Sequence, residues 1–189
     1  METNKKTKSK KTKEAAEAGS LRDLFITGLK DIYYAENALL KALPEMYDKA
    51  TDVKLKTAIK DHILQTEMQV ARLEKSFELL GMKAEAKKCQ AIEGIIAEGR
   101  ETVSAATEGP VRDAAIIGSS QKVEHYEMAA YGTLAAHAKV LNEREILDLL
   151  LRTLGEEKKS DCLLTTIADT ELNSQAAGGM HQSKDFKAV

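Results

Sequence analysis

Tryptophan is absent from this chain, proline and cysteine occur twice each, and aromatic residues make up only 4% of its 189 residues. The shortage of aromatics argues against a sheet, whose strands draw on β-branched and aromatic side chains. Cys89 and Cys162 lack CxxC spacing and are too few for a disulfide framework, so they read as buried or idle thiols in a reducing compartment. No apolar run opens the chain, which argues against a signal peptide or a membrane span and predicts a cytoplasmic protein. Neither sign of charge dominates. A net charge of -2 and a pI near 6.1 give no global attraction to nucleic acid.

What is present favours helix: 43% apolar and 31% charged residues, rich in Ala, Leu, Glu and Lys. The length suits one domain with a real core. Residues 1–19 carry Lys5, Lys6, Lys8, Lys10, Lys11 and Lys13 with no periodic apolar face, and are expected to form a disordered arm. The remaining chain divides into a bundle over 20–174 and a flexible tail over 175–189.

Ser20 can cap a first helix in which Leu21, Phe25, Leu29, Ile32, Leu39, Leu43 and Met46 recur at helical spacing. Pro44 predicts a kink, with the helix continuing through Met46 and Tyr47. Thr51 or Asp52 opens a second helix with Leu55, Ile59, Ile63, Thr66, Val70 and Leu73 inward, ending at Gly81. Residues 82–109, interrupted by Gly94 and Gly99, read as a connector holding a short amphipathic helix around Cys89, Ile92, Ile95 and Ile96. Pro110 starts a third long helix that runs to about Val140. Asn142 with Glu145 forms a plausible capping pair for the fourth, which buries Ile146, Leu150, Leu154 and Leu164. Short first and third links with a long second one predict an all-α, ferritin-like antiparallel four-helix bundle whose crossover lies between helices 2 and 3.

The chemistry is read where acids interrupt the apolar faces. Glu36 lies four residues after Ile32 and three before Leu39; Glu67 stands in the same relation to Ile63 and Val70. Glu124 falls four before Met128, and Glu157 falls three after Leu154, with Asp161 four further on. Any one such glutamate can extend its head to solvent. One per helix, at a common height, places like charges in a low-dielectric interior that demands a cation. Hard ions with oxygen ligands meet the demand, and carboxylates can bridge two of them.

The stretches LKDIYYAENALLKALPEM, HILQTEMQVARLE, KKCQAIEGIIAEG, QKVEHYEMAAYG and LLLRTLGEEKKSDCLLTTIA, with LRDLF before them, resemble the YciF-like bacterial stress proteins, a ferritin-like family. The resemblance runs from about Leu21 to Ala168 and is most specific in KDIYYAE and QKVEHYE. It implies a ferritin-type bundle, a homodimer, a carboxylate-rich di-metal site and a link to stress responses, with no settled reaction. Glu36, Glu67, Glu124, Glu157 and Asp161 fall at matching positions.

Ferritin-like enzymes commonly carry Glu-x-x-His on two helices. Here Val70 follows Glu67 and Ser160 follows Glu157 at that spacing, so both histidines are missing. Asp161 replaces one ligand and Glu127, three after Glu124, adds another. The acid-dominated set favours two iron ions, with manganese as the alternative. His125 points about 100° from Glu124, toward the flank. His62 reads as a group supporting the ligands or lying at the surface, His137 and His181 as solvent-facing, Tyr131 as a core aromatic or a hydroxyl hydrogen-bonding a ligand carboxylate, and Glu74 as paired with Lys or Arg at the bundle's edge.

Three functions compete. The first is a redox metalloprotein reacting iron with oxygen or peroxide, for iron sequestration, oxidant detoxification or weak ferroxidase or peroxidase turnover. The second adds sequence-independent DNA binding through the Lys-rich arm. The third is a metal-free interaction protein whose acids form salt bridges.

Overall fold

A computed structural model describes residues 19–178, and all its regular structure is helical: α1 (Leu21–Lys49), α2 (Val53–Leu79), α3 (Gln90–Ala105), α4 (Pro110–Val140) and α5 (Arg144–Ile167). Residues 1–18 of the Lys-rich arm and residues 179–189 of the tail, His181 among them, lie outside the described residues. Beyond α5 the chain continues through a π-helical turn, Ala168–Leu172, and a last turn, Asn173–Ala176.

Helices α1 and α2 pack as neighbours, as do α4 and α5, and the ring closes through α1 on α4 and α2 on α5. The third helix lies against α1 and α4, so the crossover runs along the bundle, the ferritin-like arrangement. Phe25, Leu29, Ile32 and Leu39 of α1, Leu55 and Leu73 of α2, Ile116 and Tyr131 of α4, and Ile146 and Leu150 of α5 are sealed from solvent at the centre.

Local chemistry explains the boundaries. Ser20 accepts from the Asp23 amide at 3.1 Å and starts α1. Asp52 does the same for α2, accepting from Leu55 N at 2.8 Å. The three residues between these helices are held from α4: the buried Asp113 carboxylate accepts from Thr51 N at 2.8 Å, Thr51 Oγ1 at 2.5 Å and Asp52 N at 2.9 Å. Gly81, at φ +67°, closes α2. Pro44 sits inside α1, which continues past it through Met46 and Tyr47.

Two expectations need correction. The crossover helix is not short: it has 16 residues and takes Gly94 and Gly99 into its body. At Gly99 the reason is contact, because a Cβ there would meet Ser119 Cβ at 3.3 Å, so the missing side chain lets α3 approach α4 closely. Asn142 and Glu145 do not form the expected capping pair. Asn142 instead adopts φ +58° and closes α4, a conformation its short polar side chain tolerates, and Glu143 takes the N-cap position with no side-chain cap bond.

Candidate metal centre

Three of the four long helices deliver acids to the bundle interior. Glu36 of α1, Glu124 and Glu127 of α4 and Glu157 of α5 are all at most 2% exposed. On α4 the spacing of three then four residues aligns Glu124, Glu127 and Tyr131 along one inner stripe. Helix α2 contributes differently. Its inward stripe runs Ile59, His62, Thr66, Gln69, Leu73, so His62 and Gln69 face the acids, while Ile63 and Val70 are only half-buried.

That register overturns the placement expected for Glu67. It follows Thr66 by one residue, about 100° around the helix, and is exposed on the outer side. His62, expected either to support the ligands or to lie at the surface, is buried beside Glu124 and Ser160. Its Nδ1 lies 3.4 Å from Ser160 Oγ and its Nε2 lies 3.6 Å from Glu124 Oε1. One ligand atom from each of His62, Glu124, Glu127 and Glu157 lies within 4.8 Å of the others. Opposed ligands on a single divalent ion stand about 4–5 Å apart, so this group is already near coordination distance.

The remaining residues arrange these donors. Tyr131 donates its hydroxyl hydrogen bond to Glu36, and Gln69 Nε2 donates to Glu157. Ser160 Oγ donates to Glu124 Oε1 at 3.0 Å. Arg72 of α2 is engaged with other partners: its guanidinium grips both oxygens of Glu156 at 2.6 and 2.8 Å and bonds Thr153 at 2.9 Å. Asp161 is half-buried at the rim, accepting from Gln121 at 3.3 Å and lying 3.3 Å from the exposed His125. It therefore stands beside the buried group rather than in it. Among the described residues Glu74 pairs with no lysine or arginine; it accepts from Tyr33 at 2.9 Å. His137 is half-buried, contrary to its expected exposure.

Burial dominates the electrostatics. Loss of water pushes Glu36 up to about 8 against the lowering effect of the Tyr131 hydrogen bond, with the Glu157 charge adding to the rise. It pushes Glu124 up to about 7 against the lowering effects of Glu157 and the Ser160 hydrogen bond. Glu157 is raised to about 9, opposed by His62 and reinforced by Glu124. Glu127 is raised well above the ordinary carboxylate range by burial and then by the charges of Glu36, Glu157 and Glu124. Burial lowers His62, which keeps its ring neutral and its nitrogen lone pair available.

The donor set fits a metal. Glu36 Oε2, His62 Nε2, Glu124 Oε2, both Glu127 oxygens and Glu157 Oε2 are buried with no hydrogen-bond partner among the described residues. Such atoms are costly to strand in an apolar interior, and a cation coordinated by them removes the cost and the mutual repulsion together. Carboxylates with one imidazole form a hard, mixed oxygen and nitrogen shell suited to iron or manganese.

Comparison with known proteins agrees with this architecture. Residues 20–177 match the family described as Domain of unknown function (DUF892). Protein YciF of Escherichia coli K12 is 40% identical over 158 residues, covering 83% of this chain and 95% of YciF. The crystal structure of that stress protein superposes with a TM-score of 0.79, covering 82% of this chain and 99% of its own. YcfI of Rhodopseudomonas palustris also gives 0.79, at 41% identity over 80% of this chain and 97% of YcfI. A two-domain protein of Anabaena variabilis with DJ-1/ThiJ/PfpI-like and ferritin-like domains shares the fold alone, with a TM-score of 0.59 at 15% identity over 99% of this chain and 49% of that protein.

Proposed function

The chain belongs to the DUF892 family, and from that premise and the buried donor cluster we propose that it is a ferritin-like stress-response metalloprotein that holds two metal ions, iron or manganese, between carboxylates. The observation that carries the reading is the convergence of His62, Glu124, Glu127 and Glu157, with the unpartnered Glu36 oxygen adding a further buried acid and no buried lysine or arginine among the described residues bonded to any of them.

Glu124 and His62 stand beside Ser160, and Glu36 stands beside Tyr131. Bound iron would supply one-electron chemistry toward oxygen or peroxide, which suits iron sequestration or oxidant detoxification. The protein's part is to hold ligands and exclude water. Tyr131 and Ser160 fix one oxygen each on Glu36 and Glu124, leaving the second oxygen of each carboxylate to coordinate. Gln69 does the same for Glu157.

Metal analysis of protein purified without chelator, followed by anaerobic Fe(II) and Mn(II) titration, tests this reading. About two equivalents are expected, falling sharply in Glu124→Gln and Glu157→Gln, which preserve size and remove the charge a cation requires. Wild-type protein that takes up neither ion rejects it.

A further inference from the structure

Between α2 and α5 a chain of polar contacts leads from the buried acids toward the surface. Gln69 and Arg72 lie one turn apart on α2, facing Thr153, Glu156 and Glu157 on successive turns of α5. Gln69 is sealed from solvent, and its Nε2 stands between two carboxylates: it donates to Glu157 Oε1 and lies 3.4 Å from Glu156 Oε2. Its Oε1 is buried with no hydrogen-bond partner among the described residues. Arg72 closes the outer end. Its Nη1 donates to Glu156 Oε2 at 2.6 Å and to Thr153 Oγ1 at 2.9 Å, and its Nη2 donates to Glu156 Oε1 at 2.8 Å. The exposed Arg152 lies 3.6 Å from the same carboxylate.

A carboxamide can flip end for end, exchanging its donors for its acceptor. Flipped, Gln69 would set its carbonyl oxygen against Glu156 and Glu157 and lose its bond to the ligand. Glu157 supplies one of the two acceptors that hold the amide as it is. The other is Glu156, which at 18% exposure has a route to water. Arg72 removes that freedom, because its planar fork meets both oxygens of Glu156 at once, a geometry that the point charge of a lysine does not reproduce. Thr153, itself buried, fixes the fork in turn.

We infer that Arg72 is a positioning residue for the centre, acting through Glu156 and Gln69 to hold one oxygen of Glu157 so that the other is left to coordinate. That Glu157 coordinates rests on the function proposed above, whereas the hold of Arg72 on the Gln69 amide does not.

The test uses the full-length protein with Arg72→Met, Gln69→Met and the double variant. In the metal-free state, the side-chain amide protons of Gln69, followed by NMR, should exchange with water several-fold faster in Arg72→Met than in wild type. Unchanged exchange overturns the proposal. In competitive chelator titration with Mn(II), each single variant should lose about 10-fold in affinity while still binding about two equivalents. The double variant should bind no more weakly than Gln69→Met, because Arg72 then has nothing to act through. Losses that multiply to about 100-fold show independent effects and overturn the proposal. Arg152→Ala removes an equal charge beside Glu156 without the fork and should leave affinity unchanged; a loss matching that of Arg72→Met reduces the effect to charge alone and overturns the assignment. Glu156→Gln should keep about two equivalents, whereas loss of a whole equivalent makes Glu156 itself a ligand and sinks the positioning role. If Arg72→Met does not fold, Arg72→Lys, which keeps the charge without the fork, should show smaller shifts in the same directions. Faster amide exchange with no Mn(II) uptake by wild type supports the Arg72–Gln69 chain and sinks the metal centre; wild-type uptake with unchanged exchange sinks the positioning role alone.

Discussion

Ser160 Oγ donates a 3.0 Å hydrogen bond to Glu124 Oε1, joining α5 to α4 at the point where the first acid of the cluster enters the bundle. The serine stands where a coordinating histidine would complete the Glu-x-x-His spacing from Glu157, and it orients a ligand instead of supplying one. Ser160→Ala should therefore lower metal affinity by about 10-fold or more, the range seen when partners of coordinating groups are removed. Competitive chelator titration measures this. An unchanged affinity would show that Glu124 is positioned without it.

Protonation gives the metal-free protein a distinctive pH response. Burial raises Glu124 to about 7, Glu36 to about 8 and Glu157 to about 9, so the folded state keeps protons that the unfolded chain has released. A raised pKa contributes stability that is present below the unfolded value and lost as pH climbs through the folded one. His62, lowered by burial, works in the other direction below about 6.5. Between pH 6.5 and 9 the apoprotein should thus lose stability, at about 1.4 kcal/mol per pH unit for each excess bound proton. Saturating metal should flatten or reverse that slope, because the ion displaces the same protons. Differential scanning calorimetry with and without Mn(II) reads both curves; an apoprotein that gains stability toward pH 9 contradicts the account.

Far from the centre, Asp113 carries the α1–α2 turn. Its carboxylate is buried and accepts three bonds, from Thr51 N, Thr51 Oγ1 and Asp52 N. Asp113→Ala strands two backbone amides at the start of α2 and should cost about 2–4 kcal/mol, as the loss of a buried acceptor serving several donors does. Urea unfolding should show that loss with metal stoichiometry intact, since no ligand helix changes its register.

Much of the bundle and part of its centre were legible because apolar residues bracket the acids. Ile32 and Leu39 enclose Glu36, and the Met128 and Leu154 faces point to Glu124 and Glu157. The second helix misled because its true inner stripe is polar. His62, Thr66 and Gln69 face the acids, while the half-buried Ile63 and Val70 supply an equally helical, more apolar track one step aside. Following hydrophobicity there moves the expected site to Glu67. Spacing held the correction: three residues after the buried Ile59 comes His62, then Thr66 four further on and Gln69 three after that. The crossover helix was understated for a related reason, since glycine reads as a breaker, while Gly99 answers to the closeness of Ser119.

The α2 register yields the sharpest discrimination between ligand sets. His62 places a neutral imidazole among three carboxylates, and its Nε2 has no partner to lose when a metal arrives. Glu67, five residues on, is exposed, about 100° around the helix from Thr66 of that stripe. His62→Ala should weaken Fe(II) or Mn(II) binding by at least about 10-fold, comparable to other losses around a coordinated ion, and the cavity it leaves should cost about 1–3 kcal/mol of apoprotein stability. Substituting glutamine at His62 retains a polar side chain of similar length and should restore stability more than affinity. Glu67→Ala, by contrast, removes a solvated charge and should leave both quantities within experimental error. Isothermal titration of the three variants checks the assignment. Strong binding in the His62 variants together with loss in Glu67→Ala would mean that α2 turns by about 100° when the centre fills, and that the acid expected from hydrophobic spacing is the ligand after all.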